Sequence, residues 1–225
     1  MRRRARCRSS GGPRSSSPRR CGRFGCAMSD PSAPRPRTFT EEARRQQIID
    51  CTIELVAERG AAAASLSAIA ARAGISKAAV LYHFSSKDAV LDATMSHVLG
   101  SYVAAVGERV DAADGPEGML VAYLRGTVEY VRDHPAQVRV LVEGLVRDPE
   151  VAAGPERWRS VAGILEQGQA AGVFRAFDAR TLALMINGAL DAVVADWIGA
   201  PGVDLDTAAA ELETAVLLAV TEVRT

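Results

Sequence analysis

The chain places Ala70, Gly74, Ile75 and Val80 at the spacing Ala-x3-Gly-Ile-x4-Val, and no other feature narrows its choice of fold as much. Two helices that cross steeply through a tight turn need a small residue at the crossing, and Ala70 supplies it. The turn needs a residue that tolerates positive φ, and Gly74 supplies that. The inner side needs apolar plugs, which Ile69, Ile75 and Val80 provide. The pattern predicts a helix-turn-helix between Ser65 and Lys87. The outer positions of its second helix are Ser76, Lys77, Ala78, Ala79, Tyr82 and His83. Small side chains at 78 and 79 would let that helix lie deep in a DNA major groove, where alanine methyls can touch thymine methyls.

The rest of the chain is punctuated as helices. Thr40 followed by Glu41 and Glu42 reads as a helix start, a hydroxyl cap and then acids at the positive end of the helix dipole. Ile49, Ile53, Val56 and Ala57 form one apolar stripe, and Gly60 stops it. Ala61–Ala64 reads as a connector. Ser65 and Ser76 cap the two helices of the motif, and Lys87 opens a long fourth helix. Gly115-Pro116 and Pro135 precede further helices, because proline fits a first helical turn, and Pro149 opens a region that Gly154-Pro155 interrupts before a helix holding Trp158. Gly172 ends one of them. Asp178 begins another, and Asp204 or Asp206 the last. The expected fold class is all-α, with about nine helices and no strand. It comprises a helix-turn-helix domain over 40–87 and a larger helical domain over 88–225.

The net charge of zero conceals an asymmetry. Residues 1–27 hold nine arginines and no acid, which leaves 18 basic side chains against all 27 acids in the remainder, a net of −9. Two readings of 1–27 stand side by side: translation starting at Met28, or a disordered basic tail able to grip phosphates. Residues 28–39, with Pro31, Pro34 and Pro36, read as an arm. Cys7, Cys21 and Cys26 match no common zinc spacing and lack a fourth ligand, so no metal and no cofactor is expected. The body keeps one cysteine, Cys51, which suits a reducing cytoplasm. There is no phosphate loop, no Gly-x-Ser-x-Gly and no His-Glu-x-x-His, so an enzyme is not expected. Nor is a transmembrane helix, because no uninterrupted apolar stretch is long enough.

Over roughly Thr40–Leu91 the sequence resembles the TetR family of bacterial regulators. The resemblance is carried by Ser65-Leu66…Ile69-Ala70…Ala73-Gly74-Ile75-Ser76-Lys77 and by Val80-Leu81-Tyr82-His83-Phe84-Ser85-Ser86-Lys87-Asp88. It implies that Ser65 and Ser67 contact phosphates and that Ser76, Lys77 and Ala79 form the recognition face. His83 and Lys87 would contact the DNA backbone, and Phe84 would pack the domain onto the body. Leu81 departs from the family, which commonly has tyrosine there with its hydroxyl on a phosphate. Either Tyr82, rotated by about 100° round the helix, takes over that contact, or Leu81 packs. Arg35, Arg37, Arg44 and Arg45 would add attraction to DNA.

The resemblance also implies a homodimer through the helices near 178–199 and 205–222, with Ala183, Gly188, Ala189 and Ala192 permitting close approach. It implies an effector pocket between the fourth and eighth helices. Candidate lining residues are Met119, Tyr123, Leu141 and Trp158, together with Phe174, Met185, Asn187 and Trp197. Most are apolar, so the expected effector is an apolar or amphipathic small molecule. Asn187, set among apolar neighbours, needs a hydrogen-bond partner if buried. The implied function is a cytoplasmic repressor on a near-palindromic operator, released by ligand. An activator, a ligand-independent regulator, or a helical adaptor with a decayed DNA module are the alternatives.

Overall fold

The computed structural model describes residues 38–147, 155–200, 202 and 204–221. The basic leader, the proline-rich arm with Arg35 and Arg37, and Pro149 lie outside the described residues, as do Cys7, Cys21 and Cys26. Among the described residues there are nine helices and no strand: α1 Phe39–Arg59, α2 Leu66–Arg72, α3 Lys77–His83, α4 Lys87–Asp111, α5 Gly115–Asp133, α6 Pro135–Arg147, α7 Pro155–Ala170, α8 Ala179–Gly199 and α9 Leu205–Val220.

Local chemistry sets most of the boundaries. Ser65, Ser76 and Ser86 are extended N-cap residues whose hydroxyls accept from the backbone N–H three residues on. Asp178 and Asp204 cap α8 and α9 in the same way. Each such cap is worth about 0.5–2 kcal/mol. One boundary differs from the expectation. The cap of α1 is Thr38, not Thr40: Thr38 and Glu41 form a reciprocal capping box, in which the threonine hydroxyl accepts from Glu41 N–H and the Glu41 carboxylate accepts from Thr38 N–H at 2.8 Å. A box satisfies two helix-end donors where Thr40 would satisfy one.

Two apolar cores meet along α4 and α6. The first joins α1, α2 and α3 to the start of α4, with Ile48, Ile69, Val80 and Val90 fully buried, and takes Val140 from α6. The second lies among α5, α7, α8 and α9, around Leu120, Val161, Leu165 and Ile186. Helix α6 therefore touches both. Helices α4 and α8 are long and apolar enough to cross a membrane by length and composition, with mean hydropathies of 1.3 and 1.4. Both instead put one face into these cores: Val90 and Val98 of α4 are fully buried, and Ala183, Ile186 and Leu190 of α8 are buried.

Candidate functional site

Helix α3 has two faces. Val80 is fully buried and Phe84 nearly so, whereas Lys77, Ala78, Leu81 and Tyr82 on the opposite side are exposed. Ala79 and His83 are half-buried at the margins. The crossing that aims this face follows the expected chemistry. Gly74 adopts φ +67°, and Ile75 N–H returns to the Ala70 carbonyl at 3.0 Å, closing the turn. Arg45 of α1 braces α3 from behind: its guanidinium lies 3.9 Å from the centre of the Phe84 ring and donates to the His83 carbonyl. The sequence reading gave Arg45 to DNA attraction; the structure turns it into the domain, where it fixes the end of α3. Arg44 donates to Gln47 on its own helix.

The exposed residues named from sequence gather around this face. Ser65 and Ser76 spend their oxygens as acceptors in capping, each at 3.1 Å, which leaves the hydroxyl hydrogens as donors. Ser67 is exposed one position inside α2. Lys87 donates to the Ala62 carbonyl at 3.1 Å, so it ties the start of α4 to the α1–α2 connector. Leu81 does not pack inside; it is 42% exposed on the open face, beside Tyr82 at 74%. The Tyr82 hydroxyl donates to Glu41 at 3.0 Å. Glu41 is held below the usual carboxylate range, first by the Thr38 backbone N–H and then by Tyr82. Tyr82 is pushed up by the same bond and by the carboxylate's charge. Sequence reading missed this pair, because 41 positions separate the partners.

A second site lies in the body. A cavity of about 750 Å³ opens among α4, α5, α6, α7 and α8, within the range of roughly 300–1,000 Å³ that small-molecule sites occupy. Met119, Tyr123, Leu141 and Asn187 line it, as do Tyr102, Thr127 and Tyr130, which the sequence reading did not select. Trp158, Phe174, Met185 and Trp197 are not in its wall. Phe174 is buried against Gly168 in the second core, and Trp158 and Trp197 pack on that core from its edge. Met185 is 64% exposed on the outer face of α8. Asn187 is 7% exposed, and the Tyr123 hydroxyl donates to its Oδ1 at 2.7 Å.

One helix joins the two sites. Val138, Leu141 and Val142 of α6 line the cavity. Glu143 accepts from Ala61 N–H at 2.6 Å, in the connector that leads into α2, and Arg139 pairs with it from one helical turn back, at 3.4 Å. This hydrogen bond ties α6 to the connector at the entry to the helix-turn-helix.

A short helix with a buried inner face and an exposed outer one, aimed by a glycine turn and mounted on a helical body, defines a helix-turn-helix DNA-binding domain. Residues 48–94 match the family described as bacterial regulatory proteins, tetR family. It is 40% identical over 88 residues to the HTH-type transcriptional regulator BetI of Burkholderia thailandensis, which covers 39% of this chain and 45% of that protein. The chain spans about half the length of the curated relatives it matches. These relatives are named as transcriptional regulators, not as enzymes. Solved structures match further along the chain. A TetR-like transcriptional regulator from Rhodococcus sp. RHA1 is 26% identical with a TM-score of 0.62, covering 81% of this chain and 96% of that one. The fatty acid degradation regulator FadR from Bacillus halodurans is 25% identical with a TM-score of 0.68, covering 77% and 94%.

Proposed function

We propose that the protein is a cytoplasmic transcriptional repressor that binds a near-palindromic operator as a homodimer and leaves it when a small apolar or amphipathic molecule fills the cavity. The observation that carries the reading is the exposed Lys77-Ala78-Leu81-Tyr82 face of α3, held rigid by Val80 and Phe84 beneath it. Such a face offers one cation, one phenol and two short or apolar side chains to a groove. Ser76 and Ala79 complete the recognition face, and Ser65, Ser67, His83 and Lys87 surround it as phosphate contacts, which position the protein without reading sequence.

The two-fold partner is a second copy seated on α8 and α9. Leu184, Met185 and Leu218 are exposed there, with Gly188 and Ala192 exposed further along α8. Of the small residues expected at this interface, Ala183 is fully buried in the protein's own core and Ala189 half-buried, so Gly188 and Ala192 are the ones that face outward. An isologous dimer presents both recognition helices to successive major grooves about 34–36 Å apart.

Selection from random-sequence DNA tests the reading. It should return an inverted repeat whose half-sites are centred about 10 base pairs apart or a multiple of that; recovery of unrelated sequences would oppose it. Lys77→Ala should weaken binding to the selected site by about 1–3 kcal/mol, roughly 5- to 150-fold, measured by fluorescence anisotropy. Release requires that ligand bind the two dimer shapes unequally. Glu143→Ala, which cuts the tie from α6 to Ala61, should leave ligand and operator binding each intact. It should shrink the ligand's effect on operator affinity several-fold, as expected for removing part of a coupling energy of about 1–3 kcal/mol. An unchanged ligand effect in this variant would show that the signal travels elsewhere.

A further inference from the structure

The exposed face of α3 carries a carboxylate from another helix. Glu41, in the first turn of α1, takes the Tyr82 hydroxyl hydrogen on Oε1 at 3.0 Å, while its Oε2 accepts from Thr38 N–H at 2.8 Å. The lowered acidity constant of Glu41 and the raised one of Tyr82 keep the acid ionised and the phenol protonated at neutral pH. The bond therefore runs from a neutral phenol to an anion. Glu41 and the edge of the neighbouring His83 ring, 5.0 Å between centres, hold the Tyr82 ring in place. The side chain is nonetheless 74% exposed.

A phenol has one hydrogen to donate. With that hydrogen on Glu41, Tyr82 meets DNA as an acceptor with a negative charge behind it. A phosphodiester offers acceptor oxygens and a negative charge of its own. It would find no donor at Tyr82, and Glu41 would repel it. Base edges differ. In the major groove cytosine presents its N4 amine and adenine its N6 amine as donors. An amine hydrogen suits the phenolic oxygen, and the bond to the carboxylate polarises that oxygen further.

We propose that Glu41 makes Tyr82 a reader of bases: the phenolic oxygen accepts an exocyclic amine, of cytosine or adenine, at one position of each half-site, and is not a phosphate contact. The proposal rests on α3 reading DNA. Tyr82 makes the contact, and Glu41 is the positioning residue that fixes its hydrogen.

Random-sequence selection with the full-length protein supplies the site. Its cytosines are then replaced one at a time by 2-pyrimidinone and its adenines by purine, each of which lacks only the amine, and affinity is read by fluorescence anisotropy. For the unaltered protein, one such replacement per half-site should cost about five- to tenfold, the loss of one hydrogen bond. Whether the pyrimidinone or the purine is felt tells cytosine from adenine. Tyr82→Phe should bind the intact site about five- to tenfold more weakly, respond by about twofold or less to that same replacement, and bind scrambled DNA unchanged. Glu41→Ala removes the anion and returns the hydrogen to Tyr82. It should cut the preference for the amine to about threefold or less while raising affinity for scrambled DNA by about threefold. Indifference of the unaltered protein to every amine replacement would overturn the proposal. So would a Tyr82→Phe variant that weakens selected and scrambled DNA by equal factors, the mark of a phosphate contact. In both cases the selected site itself stands. A selection that yields no site at all would instead bring down the DNA-reading function, and this proposal with it.

Discussion

Arginine in place of Leu218 is expected to leave the protein monomeric and to lower its affinity for operator by about 100-fold or more. Leu218 is 69% exposed on α9, and Leu184 and Met185 extend the same kind of surface on α8. A guanidinium buried there by a second copy would lose hydration with no acceptor built for it, and a two-fold axis would introduce the defect twice. Because the side chain is exposed within one copy, the fold should hold and circular dichroism should be unchanged. The loss on DNA follows from multivalency: each half-site is held more tightly because the other is held, and monomers forfeit that effective concentration. Sedimentation equilibrium checks the first effect and fluorescence anisotropy the second. A dimer that survives Leu218→Arg would place the interface on another surface.

The second large effect is on stability. Gly168 of α7 is buried, and a Cβ there would overlap the ring of Phe174. Phe174 lies after the Gly172 turn, where Val173 and Phe174 N–H both return to the Gly168 carbonyl, at 2.9 and 3.1 Å. The ring is 5% exposed and packed in the core, so it cannot step aside without opening a void. Gly168→Leu should therefore cost about 1–3 kcal/mol or more, lowering Tm by roughly 2–4 °C for each kcal/mol. Gly100→Ala is the control. It sits on exposed α4 surface with nothing within 4 Å of a new Cβ and should be neutral or stabilising by up to about 1 kcal/mol. Equal melting losses in the two variants would contradict the packing argument.

How much of this was legible in the sequence depended on how local the cause was. Caps and turns are decided within four residues, so Ser65, Gly74, Ser76, Gly172 and Asp178 marked their boundaries in advance. The exception at Thr38 arose because two threonines precede the same acids, and only the reciprocal bond to Glu41 separates them. Helical periodicity identified which residues turn inward. It carried no information on whether the inward side meets a packed core or a hollow. Trp158, Phe174 and Trp197 met core, while Tyr123 and Asn187 met cavity. Met185 was misplaced for a related reason: α8 exposes Leu184 and Met185 beside the buried Ala183 and Ile186, so this part of its outward side reads from sequence like its inward one. Links such as Tyr82–Glu41 and Glu143–Ala61 join residues 41 and 82 positions apart, beyond the reach of any local pattern.

The proposed function depends most on the α3 face reading DNA sequence. The most direct measurement is a mobility shift of the full-length protein on the DNA flanking its own gene, against scrambled DNA of equal length at about 150 mM salt, where non-specific binding is weak. The flanking DNA alone should shift, and Lys77→Ala should abolish or strongly weaken that shift. Equal affinity for both DNAs, or a specific shift indifferent to Lys77→Ala, would contradict it.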